Sequence, residues 1–264
     1  MKKITVILPV YKLGIDETLM LDNALKSVHR FHEDVKVTIV CPLILMSKLN
    51  EFFIQSEHNE LEIKKLPNPD KTDFISQINL GIEACDTEWF SILEIDDEYE
   101  KAWFKSMKEY MNEFTDVDAF LPIIRDVNVE GKFISFMNES VWAYGFTTEQ
   151  GVIDNELLLE YQTFQTSGGL YRTEVIKDHG KLKDNIKLTF SYEFLLRLTN
   201  NGVKIMTVPK IGYRHVNLRE GSLFWSYKND EKMKLSEDEA KFWLETAKKE
   251  FYFKNKREIL YEKK

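Results

Sequence analysis

The sequence has little of several things that would direct a reading elsewhere. Cysteine occurs twice in 264 residues, as Cys41 and Cys85. Two distant cysteines give neither a disulfide framework nor a zinc-ligand spacing, and they suit a reducing, cytoplasmic setting. No apolar run approaches the length of a membrane span, so no transmembrane segment is expected. The apolar run within residues 1–9 is too short for a signal sequence, and no small-residue cleavage site follows it. There is no excess of basic residues either: 36 Lys and Arg stand against 44 Asp and Glu, for a formal net charge of −8. Surfaces that grip nucleic-acid phosphates are usually basic, so the balance argues against such a partner while leaving room for a local basic patch. Internal repeats and low-complexity segments are absent. What is present is a chain that is 43% hydrophobic and 13% aromatic, enough to build a sizeable core in one large α/β domain or two small ones.

Hydrophobic periodicity divides the chain. A β-branched run over residues 4–10, ended by Pro9-Val10-Tyr11, reads as a buried strand. Leu21, Ala24, Leu25 and Val28 fall at helical spacing and predict a helix over 17–31. A strand over 35–40, a helix over 47–55 and a strand over 61–66 follow, the last closed by the breakers Pro67-Asn68-Pro69-Asp70. Phe74, Ile75, Ile78 and Ile82 mark a third helix, and 88–95 a fourth strand. This alternation predicts a parallel sheet with right-handed crossovers. Further on, the pattern predicts helices over 103–114, 175–179 and 192–200 and strands over 119–125 and 203–208, with Gly202 as a helix C-cap. Ser236 and Glu239 form a capping box ahead of the stripe Ala240, Trp243, Leu244, Ala247 and Phe251, which predicts an amphipathic helix packed on the main domain.

The most informative segment runs from a hydrophobic strand into Glu94, Asp96, Asp97 and Glu98, four carboxylates in five residues. In open parallel sheets, ligands bind at the carboxyl ends of strands. Carboxylates there can hold a hard divalent cation, which neutralises a departing diphosphate. The plainer alternative is an acidic loop capping the next helix.

Three segments in order then carry a resemblance. Val6-Ile7-Leu8-Pro9-Val10-Tyr11 opens the chain; Leu21, Ala24, Leu25, Ser27 and Val28 lie on the first helix; Asn79-Leu80-Gly81-Ile82-Glu83-Ala84 precedes Leu93-Glu94-Ile95-Asp96-Asp97. Together they resemble glycosyltransferase family 2 over roughly the first 100 residues. The resemblance implies a GT-A α/β fold, with a mostly parallel central sheet, helices on both faces and a C-terminal helical tail. Residues 1–225 would form the GT-A domain, with a nucleotide-sugar half at 1–100 and an acceptor half at 101–225, and 226–264 the tail. It implies inverting transfer from a nucleoside-diphosphate sugar, expected to be uridine-linked, with Mn2+ or Mg2+. Pro9, Val10 and Tyr11 would lie against base and ribose, with Glu94 near the nucleotide. Asp96 would meet ribose or metal, and Asp97 would share the metal and take part in catalysis. Asn79 would order a loop.

The later segments Thr166-Ser167-Gly168-Gly169-Leu170-Tyr171-Arg172 and Tyr213-Arg214-His215 through Ser222 also resemble the family. They imply His215 in the metal shell and Arg214 and Arg219 on phosphate oxygens. The aromatics Phe136, Trp142, Tyr144, Phe146, Tyr161 and Phe164 are assigned to the acceptor side. The pattern departs from the family in two places. The acidic end of the second strand is replaced by Val40-Cys41-Pro42, and the acidic pair that supplies the general base is replaced by Phe190 and Ser191. The nearest carboxylates are Glu193 and Asp184. Glu193 is the expected base, although it also stands four residues before Arg197, where a structural ion pair would form. These departures motivate a rival, a non-catalytic relative that binds nucleotide sugar or glycan. A nucleotidyltransferase is disfavoured, because the loop Tyr11-Lys12-Leu13-Gly14-Ile15 is neither glycine-rich nor basic. The acceptor hydroxyl stays open among glycan, lipid-linked sugar, protein and modified nucleic-acid base.

Overall fold

The computed structural model describes residues 3–69, 73–139, 151–162, 164–217 and 219–261; Asp70, Trp142, Tyr144 and Phe146 lie outside them. Strand β1 (Ile4–Pro9) is flanked by β2 (Val35–Pro42), with β3 (Ile63–Asn68) beyond it, and on its other side by β4 (Trp89–Ile92). All of these pair in parallel. Crossovers run through α1 (Ile15–His29), α2 (Met46–Gln55) and α3 (Phe74–Glu83). Strand alternation sorts β1 between two cores. Ile4, Val6 and Leu8 pack with Leu21, Ala24, Leu25 and Val28 of α1. Ile7 packs with Ile78 and Ile82 of α3 on the opposite face. Gly81 explains how closely α3 sits on the sheet: a Cβ there would lie 2.4 Å from Ile7 Cγ2.

The second half departs from the simple alternation. Strand β5 (Glu98–Tyr99) follows the acidic turn, and α4 (Trp103–Glu113) leads into β6 (Ala119–Val127) and β7 (Phe133–Met137). After β8 (Val152–Ile153) and α5 (Asn155–Glu160), the short β9 (Leu170–Arg172) inserts antiparallel between β4 and β6. Helices α6 (Thr173–His179) and α7 (Phe190–Asn200) then lead to β10 (Ile205–Val216), parallel to β6. The longest pairings are thus parallel, and every antiparallel one is short and involves a strand of this half. The strand expected over 203–208 continues to Val216 because Pro209 sits at a bulge rather than a stop. Gly212 accommodates the Trp103 ring, which lies 2.3 Å from where a Cβ would be.

Gly202 follows α7 with φ of +77°, the left-handed conformation the C-cap reading requires. The capping box at Ser236 and Glu239 starts α9 (Glu237–Glu250), after α8 (Leu223–Asn229). Trp243 and Ala247 of α9, with Phe251 just beyond it, join the core that also holds Phe190, Phe194 and Leu198 of α7. No helix among the described residues is long and apolar enough to cross a membrane.

Candidate active site

A cleft of about 980 Å3 opens where the carboxyl ends of β1 and β4 meet the end of β10 and the segment after it. β4 ends at Ile92. Leu93 continues the ladder by donating its N–H to Ile7, and the chain then turns, with the Asp97 N–H donating to the Glu94 carbonyl. That turn sets Glu94 and Asp96 in the lining of the cleft, with Asp97 buried beside them.

Each carboxylate has a distinct environment. Asp97 is 1% exposed. It accepts the Val216 N–H at 2.8 Å and the His215 Nδ1 at 3.0 Å, which ties the turn to the end of β10. Glu94 accepts the Ser167 hydroxyl at 2.6 Å, and its N–H donates to the buried Tyr213 hydroxyl at 3.0 Å. Burial, reinforced by the negative charge of Asp97, pushes the Glu94 carboxyl up to about 7. Asp96 accepts Arg219 Nε at 2.5 Å; burial and the Asp97 charge raise its pKa, and Arg219 works against them. Burial opposes a charge on His215, but the charge and hydrogen bond of Asp97 outweigh it and hold the imidazole pKa up at about 10.

Glu94, Asp97 and His215 each offer one ligand atom, and those atoms lie within 4.8 Å of one another. Two carboxylate oxygens and an imidazole nitrogen form a donor set that fits Mn2+, and through its oxygens Mg2+. The expected metal ligands were Asp96, Asp97 and His215. The geometry replaces Asp96 with Glu94 and gives Asp96 to Arg219. Arg219 also donates to the Tyr11 hydroxyl at 2.9 Å, and that hydroxyl donates to the Gly221 carbonyl. Pro9 and Tyr11 line the cleft. Val10 does not: strand alternation carries its side chain into the α1-side core, where it is fully buried. Arg214 is also turned away, because it precedes His215 on the strand and takes the other face. It pairs with Glu98 at 2.8 Å.

Glu193 is the largest correction. It is fully buried, accepting Arg197 Nε at 2.9 Å and Nη2 at 3.1 Å and lying 2.9 Å from Lys183 Nζ. The ion-pair alternative describes it, and it lines neither cavity. Ser191 does face the second cavity, of about 590 Å3, which borders the cleft. Two residues apart on a helix lie about 200° around its axis, so a carboxylate at 193 cannot stand in for one at 191. Asp184 lines the cleft but pairs with Lys256. Asn79 orders a loop as expected, bonding both backbone groups of Leu182. Of the acceptor-side aromatics, Phe136 and Phe164 line the second cavity.

Ser167 in the second cavity, and Asn217 with Leu223, Phe224 and Tyr227 of α8 in the cleft lining, escaped the sequence reading. Ser167 lies in a matched segment, but nothing local marks its partner 73 residues away.

A curled mixed sheet with an acidic cluster at its strand ends and a partly covered cleft defines the GT-A class of fold. The chain belongs to glycosyl transferase family 2, whose model matches residues 47–180. Among solved structures it resembles TarS 1–349 of S. aureus at 18% identity and a TM-score of 0.61, covering 82% of this chain and 60% of that one. The TarS complex with UDP-GlcNAc matches at 19% identity and 0.63, covering 88% and 63%. The mannosyltransferase PcManGT of Pyrobaculum calidifontis, in complex with GDP-Man and Mn2+, matches at 11% identity and 0.62, covering 95% and 70%. The chain therefore spans under two thirds of the length of those TarS structures. No curated protein matches the sequence.

Proposed function

We propose that this protein transfers a sugar, with inversion, from a nucleoside-diphosphate sugar to an acceptor hydroxyl, and that it uses Mn2+ or Mg2+. The observation that carries the reading is the convergence of Glu94, Asp97 and His215 beside the Asp96–Arg219 pair in one cleft. Glu94, Asp97 and His215 would hold the cation, whose charge would stabilise the departing diphosphate. Arg219, already inside the cleft, is the side chain suited to a phosphate oxygen. Pro9 and Tyr11 border the space for ribose and base. A uridine-linked donor is the first choice, in keeping with the UDP-GlcNAc bound by the TarS relative. Both cysteines are buried free thiols, which suits action in the cytoplasm.

The rival, a relative that binds donor without turnover, is favoured by one observation: Ser191 stands where a carboxylate is expected, and Glu193 is sealed away. Calorimetric titration with UDP- and GDP-sugars, with and without Mn2+, combined with an assay of nucleotide release, separates the two. Transfer predicts Mn2+-dependent binding with release, both lost in Asp97→Asn. Binding without release for any donor, with acceptors supplied, would leave the rival standing.

A further inference from the structure

We propose that Asp126 binds the hydroxyl of the acceptor, and that the acceptor is a sugar ring; this rests on the transfer reaction proposed above. The cavity that Ser191 faces joins the cleft along Glu94, Gln165 and Asn217, which line both. Asp126 projects into it from β6 and is 2% exposed. One of its oxygens, Oδ2, accepts Asn217 Nδ2 at 2.8 Å and the Ser135 hydroxyl at 3.3 Å. The other, Oδ1, is buried and has no hydrogen-bond partner among the described residues. Buried polar atoms are nearly always paired, so an orphaned carboxylate oxygen beside a cavity asks for a donor that arrives with a ligand. Two half-buried carboxylates also line this cavity, Glu94 and Glu139; Glu94 is engaged by Ser167 and belongs to the cation group, and neither is as buried as Asp126. Asp126 thus supplies on the β6 wall the negative charge that Ser191 does not supply on the α7 wall.

The remaining lining identifies the kind of acceptor. Phe136, Phe164, Phe190 and Phe224 present aromatic surface, while Gln165 and Asn217 present amides. A sugar ring has an apolar C–H face and a rim of hydroxyls, and it matches both. A plain alkyl chain would fill the aromatic part and leave Asp126 unpaired.

The test is saturation-transfer NMR on the full chain with the methyl glycosides of glucose, galactose, mannose and N-acetylglucosamine, alongside calorimetry with UDP and Mn2+. Transfer to at least one glycoside is expected. Asp126→Ala should weaken that contact about tenfold or more, the scale of a lost hydrogen bond to a charged group. Its UDP affinity should stay within about twofold, because Asp126 stands outside the group of Glu94, Asp97 and His215 and does not line the cleft. Phe136→Ala, at a side chain 40% exposed and so outside the packed core, should also reduce transfer. The proposal is overturned if no glycoside contacts the wild type, or if Asp126→Ala keeps the contact. It is equally overturned if Asp126→Ala loses UDP and glycoside together, which would assign Asp126 to the donor site. Should that variant not fold, unchanged transfer in Phe136→Ala overturns it instead. Calorimetry judges the donor reading on its own, so the two can fail separately.

Discussion

Replacing Glu193 with glutamine distinguishes a structural carboxylate from a catalytic one. The side chain is fully buried, and two cations depend on it: Arg197 through two nitrogens and Lys183 through its ammonium. Arg197 also donates to the carbonyls of His179, Gly180 and Lys181, and Lys183 to those of Glu250 and Phe253. The cluster therefore fastens α7 to the loop before it and to the turn after α9. Glutamine keeps the shape and removes the charge, leaving two buried cations with no counter-charge at that point. Breaking a buried pair in this way costs about 3–5 kcal/mol. Against a total stability of about 5–15 kcal/mol, that is a large fraction. For a domain of this size it corresponds to a melting point lower by roughly 6–20 °C. Thermal and urea unfolding would measure the loss, with nucleotide release assayed at a temperature where the variant is still folded. Activity per folded molecule is expected to survive. A variant that melts like the wild type yet releases no nucleotide would refute the reasoning and return Glu193 to the chemistry.

Three further substitutions test the site and its platform. Arg219→Ala is expected to weaken nucleotide-sugar binding by about 10–100-fold, the scale of charge-assisted hydrogen bonds. Arg214→Ala, whose partner is Glu98 outside the cleft, should leave that binding within about twofold by calorimetry; the reverse ranking would mean that Arg214 swings into the cleft. Gly81→Ala would ordinarily gain about 1 kcal/mol of helix propensity, but with Ile7 Cγ2 2.4 Å from the new Cβ it should lower stability by a net of about 1–2 kcal/mol through overpacking. A higher urea midpoint would show that Ile7 yields without strain.

The parts of the molecule that were legible in the sequence are those where the signal is local. In the first half, each strand and helix carries its own periodicity, and parallel pairing follows from the alternation. The carboxylates were legible because a hydrophobic strand ending in acids says where a sheet's ligand edge lies. Side-chain direction was harder to read. Val10, Arg214 and Glu193 were all placed in the right neighbourhood and faced the wrong way. Val10 and Arg214 failed by the two-residue period of a strand, Glu193 by the 3.6-residue period of a helix. A family motif fixes the position along the backbone, but one step in phase exchanges cleft for core. That Asp96 pairs with Arg219 instead of joining the group of Glu94, Asp97 and His215 has a different origin. It depends on Arg219 reaching back across more than a hundred residues to claim Asp96, a pairing that no periodicity encodes. The second half was harder for the same reason. Inserting β9 between β4 and β6, and extending β10 through a bulge at Pro209, are non-local events. They bring His215 level with Asp126 across the β6–β10 pairing. So the second cavity, unlike the strand-end carboxylates, is assembled by topology, and of its lining the sequence reading reached Phe136, Phe164 and the position of Ser191 but not Asp126.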